Sequence, residues 1–208
     1  MRVRLPPLYP IIDFTNCTLS FQEVVSILAA SGIDLIQLRE KRASSRKLFE
    51  DALHLIECAR PCQMRVIVND RPDLAWLAGA HGVHLGQDDL PVDQTRKILG
   101  KSKIIGVSSH NLQQALEAEK SAAGYIAIGP VFPTLTKENP DPLVSRQELE
   151  EIRRRVTKPL VAIGGITAEN AGSLFELGID SMAVIRDLFA TGDFAGKVKA
   201  FARIAHIS

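Results

Sequence analysis

RVIVNDRPDLAWLAGAHGVHLGQDD, residues 65 to 89, decides the fold. Arg65–Val68 is a short β-branched run, and Gly82–Leu85 is a second. Both are mostly apolar on either side, as strands of a parallel sheet covered on both faces should be. Between them, Pro72–Leu77 reads as a short helix. The same alternation extends outward in both directions. Further strands are expected at Leu8–Ile12, Leu35–Leu38, Lys103–Val107, Tyr125–Ile128, Leu160–Ile163 and Ser181–Ile185. Helices are expected at Ser20–Ser31, where Ser20 and Glu23 have capping-box spacing, and at Ser45–Ala59, where Leu48, Ala52, Leu55 and Ile56 recur at helical spacing. Others are expected at Val92–Leu99, Asn111–Ala122, Ser145–Val156, Thr167–Leu177 and Phe194–Ala205. Eight strand–helix units in strict alternation predict an α/β fold: one closed (β/α)₈ TIM barrel, a single domain over residues 1–208. An open doubly wound sheet is the alternative. Its glycine-rich turn after the first strand is missing, since Ile12-Asp13-Phe14-Thr15 stands there.

Composition excludes several functional classes. Of the 208 residues, 46% are hydrophobic and 24% charged, and the net charge is +1. This balance gives no bulk attraction to nucleic acid or membrane. No apolar run approaches the roughly 20 residues that span a bilayer. The start, MRVRLPPLYPIID, does not resemble a signal peptide. Cys17, Cys58 and Cys62 are an odd number and lack a companion metal set, so reduced thiols in a cytoplasmic protein are expected. The expected partners are small molecules. A homodimer is left open.

In such a barrel the chemistry belongs to the C-terminal strand ends. The second strand ends IQLREK, and alternation puts Gln37, Arg39 and Lys41 on one face, with Leu38 and Glu40 on the other. An amide and two cations can grip a multiply charged anion; a solvated charged loop is the competing explanation. The third and fourth strands end VIVND and GVHLGQDD, offering Asn69, Asp70, His84 and Asp89. Asp70 and Asp89 suit Mg²⁺, which takes one or two carboxylates plus phosphate oxygens. Asp at a strand exit is also a common helix cap. His84 fits a packed core role as well as a substrate contact. The fifth strand ends GVSSH: Ser108 should look into the mouth, while Ser109 is a candidate helix cap. GPVFPTLTK, residues 129–137, then presents Thr134, Thr136 and Lys137, a point-charge phosphate binder, on a proline-stiffened loop. Gly164 and Gly165 follow the seventh strand, and a short helix starting near Asp187 follows the eighth. These loops are the usual phosphate site of the barrel. Two anion features emerge, one suited to pyrophosphate with Mg²⁺ and one to a monophosphate. Together they suggest a transferase that displaces pyrophosphate.

QLREK, VND, GVHLGQDD, GVSSH, GPVFPTLTK and VAIGGI, in this order and spacing, resemble the thiamine-phosphate synthase (thiamine-phosphate pyrophosphorylase) family from Tyr9 to about Asp193. The resemblance implies condensation of hydroxymethylpyrimidine diphosphate with a thiazole phosphate, releasing pyrophosphate through a stabilised carbocation. It implies Gln37, Arg39, Lys41 and Asn69 at the pyrimidine diphosphate, and Asp70 and Asp89 on Mg²⁺. Ser108 and Lys137, with Arg39, would act on the departing pyrophosphate. Thr134 and Thr136, with the backbone at Gly165, Ile185 and Arg186, would hold the thiazole phosphate. The chain departs from the family where V-S-A becomes Ile185-Arg186-Asp187, and where Ile12 replaces a threonine. Two other functions remain in view. One is a thiazole tautomerase of the same barrel superfamily, with His110 as acid–base residue; the other is a non-catalytic barrel that binds phosphate ligands.

Overall fold

The computed structural model describes residues 3–15, 17–134 and 141–204. Eight parallel strands close on themselves in sequence order: β1 Leu8–Ile12, β2 Leu35–Leu38, β3 Arg65–Asn69, β4 Gly82–Leu85, β5 Ile104–Ser109, β6 Tyr125–Ile128, β7 Leu160–Ile163 and β8 Ser181–Val184. The ring is completed by pairing of β1 with β8, Tyr9 opposite Ala183. The helices are α1 Phe21–Ala30, α2 Ser45–Ala59, α3 Pro72–Leu77, α4 Val92–Leu99, α5 Leu112–Lys120, α6 Arg146–Arg155, α7 Gly172–Glu176 and α8 Phe194–Ile204. Among the described residues, no helix is long and apolar enough to cross a membrane.

The strands' apolar character on both faces now has its cause. Tyr9, Ile11, Leu35, Ile67, Tyr125, Ala127, Val161 and Ala183 fill the barrel interior. Their neighbours Leu8, Ile12, Ile36, Val66, Val83, Ile105, Ile126 and Met182 face the helices. Side chains alternate faces along each strand, so one core lies inside the sheet and another around it. Arg65 closes the bottom, donating to both Asp34 carboxylate oxygens at 2.8 and 2.9 Å and to the Arg4 carbonyl at 2.6 Å.

Several boundaries differ from the expectation, and four of them bear on the mouth of the barrel. β5 runs on to Ser109 because Ser108 and Ser109 pair with Ala127 and Ile128 of β6. Ser109 is therefore a buried strand residue, and Asn111 caps α5 instead, its side chain accepting from the Gln114 amide at 2.9 Å. β3 likewise gains Asn69, which pairs with His84. α7 is shorter than Thr167–Leu177. Asn170 accepts from the Thr167 amide and donates to the Gly165 carbonyl, which folds residues 167–170 into a turn ahead of the helix. β8 stops at Val184, where Ile185 leaves the extended region (φ −117°, ψ −80°). Ser20 and Glu23 form the expected capping box at α1.

Glu40 points away from the barrel mouth and is 5% exposed, beside Asp51 of α2. Burial, then the neighbouring Asp51 carboxylate, pushes its carboxyl up to about 8. The unfolded chain loses this proton near 4.5, while the folded chain keeps it until about 8. Stability therefore falls as pH rises across that window, with the deficit complete above it. Glu40→Gln keeps a donor for Asp51 and removes the charge. Its melting temperature is expected to exceed the wild type's by about 3 °C or more at pH 9 and to match it at pH 5, since about 1 kcal/mol shifts a chain of this size by 2–4 °C. Parallel melts at the two pH values check this, and an equal difference at both would refute it.

Candidate active site

A cavity of about 790 Å³ opens at the C-terminal ends of the strands. On the β2–β4 side, alternation continues past β2, so Gln37, Arg39 and Lys41 all line it, while Leu38 and Glu40 are buried behind. Asn69 and Asp70 reach it from β3. The Asp70 amide donates to the His84 carbonyl at 2.8 Å, and the Arg71 amide turns back to the Asn69 carbonyl at 2.8 Å. This tight turn holds Asp70 at φ 63°, a strained region for a residue with a Cβ and one common at functional sites. The Gly86 amide donates to Asp89 Oδ2 at 2.6 Å, which aims Asp89 back over the β4 exit. Asp70 thus meets Asp89 within hydrogen-bonding reach, and Lys41 Nζ lies 3.4 Å from Asp70 Oδ2. Burial, then Asp89, pushes the Asp70 carboxyl up to about 6, with Lys41 opposing. Two facing carboxylates with one partial counter-charge are short of positive charge.

The floor carries a polar chain through the apolar interior. Gln37 Nε2 donates to the Tyr9 hydroxyl at 3.0 Å. Tyr9 and Tyr125 hydroxyls lie 2.9 Å apart, and Tyr125 lies 3.0 Å from His84 Nδ1. His84 Nε2 is 3.0 Å from Ser108 Oγ. Burial raises both phenols and lowers His84 to about 4, so the imidazole is neutral at pH 7. Gln37 Oε1 is buried with no partner among the described residues.

On the opposite side, the chain leaving β6 lies along the chain leaving β7. Val131 and Phe132 amides donate to Ile163 and Gly164 carbonyls at 3.0 and 3.1 Å, extending the parallel pairing beyond the strands. Gly164 and Gly165 have φ of 101° and 63°. A Cβ on Gly165 would sit 2.3 Å from the Pro133 carbonyl oxygen, so only glycine permits this approach. Thr134, Gly165, Ile185 and Arg186 line the cavity here. The helix expected near Asp187 is a single 3₁₀ turn, Arg186–Phe189. Asp187 instead ties the turn down, accepting from Lys197 Nζ at 3.0 Å and from the Ala168 amide at 3.3 Å. His110 also lines the cavity, and its Nδ1 donates to the Gly129 carbonyl at 2.6 Å.

Gln37, Arg39, Lys41, Asn69, Asp70, Asp89, Ser108, Thr134, Gly165, Ile185 and Arg186 therefore converge on one cavity. Thr136 and Lys137 lie outside the described residues. His84 resolves as both a hydrogen-bonded core residue and a cavity wall. The sequence reading missed Tyr9 and Tyr125. For Tyr125 the signal was a glycine on the neighbouring strand, since a Cβ on Gly106 would lie 2.0 Å from its ring; Tyr9 pairs with Ala183 and carried no such signal. No group of three or more His, Cys, Asp or Glu poised to hold a metal occurs among the described residues. A cation between Asp70 and Asp89 would need its other ligands from water or substrate.

Comparison with known proteins gives a consistent picture. The sequence model of the family described as thiamine monophosphate synthase matches residues 8–188. A thiamine-phosphate synthase of Koribacter versatilis is 41% identical over 98% of both chains. One from Shouchella clausii is 44% identical over 82% of both. Among solved structures, a thiamine phosphate pyrophosphorylase from Pyrococcus furiosus superposes with a TM-score of 0.85 at 33% identity, covering 96% of this chain and 95% of that one.

Proposed function

This chain belongs to the thiamine monophosphate synthase family, and from that membership we propose that it condenses 4-amino-2-methyl-5-hydroxymethylpyrimidine diphosphate with thiazole phosphate, assisted by Mg²⁺. The observation that carries this reading is the Asp70–Asp89 pair facing Lys41 across from the Gly164–Gly165 cradle. A doubly phosphorylated end is served on one side and a monophosphate on the other.

Bond breaking leads. The methylene–oxygen bond opens and its electron pair leaves on pyrophosphate; the thiazole nitrogen then supplies the pair for the new carbon–nitrogen bond. The protein supplies no nucleophile. Arg39 and Lys41 neutralise the growing negative charge on the leaving group, and Ser108 donates to one of its oxygens. Lys137 is assigned to the same oxygens on its family motif. Asp70 and Asp89 would hold Mg²⁺, which when bound contributes further charge neutralisation there. Gln37 Oε1, without a partner among the described residues, is suited to accept from the amino group of the pyrimidine. Asn69 lines the same cavity from β3, two positions beyond the residue that pairs with Gln37. Apolar Ile11, Ala127, Val161 and Ile163 line the cavity and keep water from the electrophilic methylene carbon. Thr134, Thr136 and the amides at Gly165, Ile185 and Arg186 are assigned to the thiazole phosphate, with the Arg186 cation available to it.

The test is direct. Protein mixed with both substrates and Mg²⁺ should yield thiamine phosphate, read as thiochrome fluorescence after oxidation, and omitting Mg²⁺ should abolish the signal. Absence of product with Mg²⁺ present would overturn the reading, and isomerisation of a thiazole carboxylate phosphate by the same protein would replace it with the tautomerase.

A further inference from the structure

The hydrogen-bond chain under the cavity can run in two senses, set by which end of the Gln37 amide meets Tyr9. An amide nitrogen can only donate, so with Gln37 Nε2 on Tyr9 the Tyr9 oxygen must accept. Tyr9 has one proton left, and it goes to Tyr125. Tyr125 passes its own to His84 Nδ1. The neutral imidazole then carries its proton on Nε2 and gives it to Ser108 Oγ. Ser108, which lines the cavity, is left with a free hydroxyl proton. Turning the Gln37 amide over reverses every link. Tyr9 would donate to Oε1, His84 would hold its proton on Nδ1, and Ser108 would spend its proton on Nε2, leaving only lone pairs toward an anion. With Gln37 Nε2 on Tyr9, Gln37 Oε1 is the atom left without a partner among the described residues, buried and beside the cavity.

We infer that Gln37, Tyr9, Tyr125 and His84 are positioning residues, a one-way chain that makes Ser108 a donor toward the leaving group, with its direction locked when Gln37 Oε1 accepts an N–H from the bound aminopyrimidine. The part concerning the substrate rests on the proposed function. Recognition of the amino group at β2 thereby sets the hydroxyl at β5 without any movement of backbone. A merely structural network would be indifferent to its sense; here only one sense suits an oxyanion. Gly106 belongs to the device, because any side chain there would displace the Tyr125 ring.

The experiment is nitrogen NMR on protein labelled at histidine, the His84 signals assigned by their loss in His84→Gln. Spectra are taken ligand-free, with inorganic pyrophosphate, and with hydroxymethylpyrimidine diphosphate in the absence of the thiazole. The Nε2–H tautomer is expected to dominate with either ligand. In Tyr9→Phe, which removes one hydroxyl, the tautomer should stop responding to the pyrimidine. There, kcat should fall about tenfold, as loss of one hydrogen bond of about 1.4 kcal/mol implies, while KM for the pyrimidine diphosphate changes less than about threefold. His84 held as Nδ1–H with pyrophosphate bound overturns the chain whether or not the protein turns over. Wild-type kcat in a folded Tyr9→Phe overturns it too. If that variant does not fold, the wild-type spectra decide alone. An Nε2–H His84 in a protein that makes no thiamine phosphate upholds the chain and overturns the reaction.

Discussion

Asp70→Asn is expected to lower thiamine phosphate formation by about 10²- to 10³-fold, the usual cost of removing one preorganised electrostatic stabiliser, and to raise the melting temperature. The two effects have one origin. Asp70 is held close to Asp89 in a partly buried rim, and its carboxyl is pushed up to about 6. Above that pH the folded protein carries two facing negative charges, which is useful toward a cation and costly without one. Asparagine keeps the size and tolerates the φ of 63° that the turn imposes. Losing the 3.4 Å pair with Lys41 costs little, because that side chain is 53% exposed. A gain of about 2–4 °C is expected at pH 8 without Mg²⁺, corresponding to roughly 1 kcal/mol. At pH 4 the wild-type pair is relieved by protonation and the gain should vanish. Steady-state rates and paired melts measure both. Turnover within threefold of wild type would sink the assignment of Asp70.

Gly165→Ala strikes the other end of the cavity. The methyl group would need a left-handed backbone and would press on the Pro133 carbonyl and Phe132. The loop after β6 must then lift from the loop after β7, spoiling any phosphate seat built from backbone amides. Charge-assisted hydrogen bonds are worth about 1.5–3 kcal/mol, so KM for the thiazole phosphate should rise roughly 10- to 100-fold. KM for the pyrimidine diphosphate should stay near wild type, since Arg39, Lys41 and Asp70 lie across the barrel. Varying each substrate against saturating amounts of the other separates the two. Equal increases in both constants would count against a divided cavity.

Much of this was written in the local pattern. Runs such as Val66–Val68 and Tyr125–Ile128 are apolar on both faces because they separate two cores; a doubly wound sheet asks for the same pattern, and the count of eight strand–helix units pointed to the barrel. The rim residues followed from the same alternation: once β2 is extended, Gln37, Arg39 and Lys41 must share a face. Contacts across the barrel were not legible. Tyr9 and Tyr125 are 116 positions apart, and nothing near either announces the other. The turn at Asp70 was equally hidden, since its positive φ is imposed by pairing with β4 rather than by a glycine. The end of β5 was misjudged because serine at a strand exit favours a cap locally, and pairing with β6 overrode it.

The proton held on Glu40 behind the rim has a kinetic consequence. Arg39 and Lys41 stand on either side of Glu40, so ionisation of that residue slackens the scaffold that presents both cations. A rate profile declining on the alkaline side with a midpoint near 8 would ordinarily be assigned to a catalytic acid. Here such a limb is expected from a group that never meets a reactant. Glu40→Gln should carry the plateau to higher pH without altering the rate at its top.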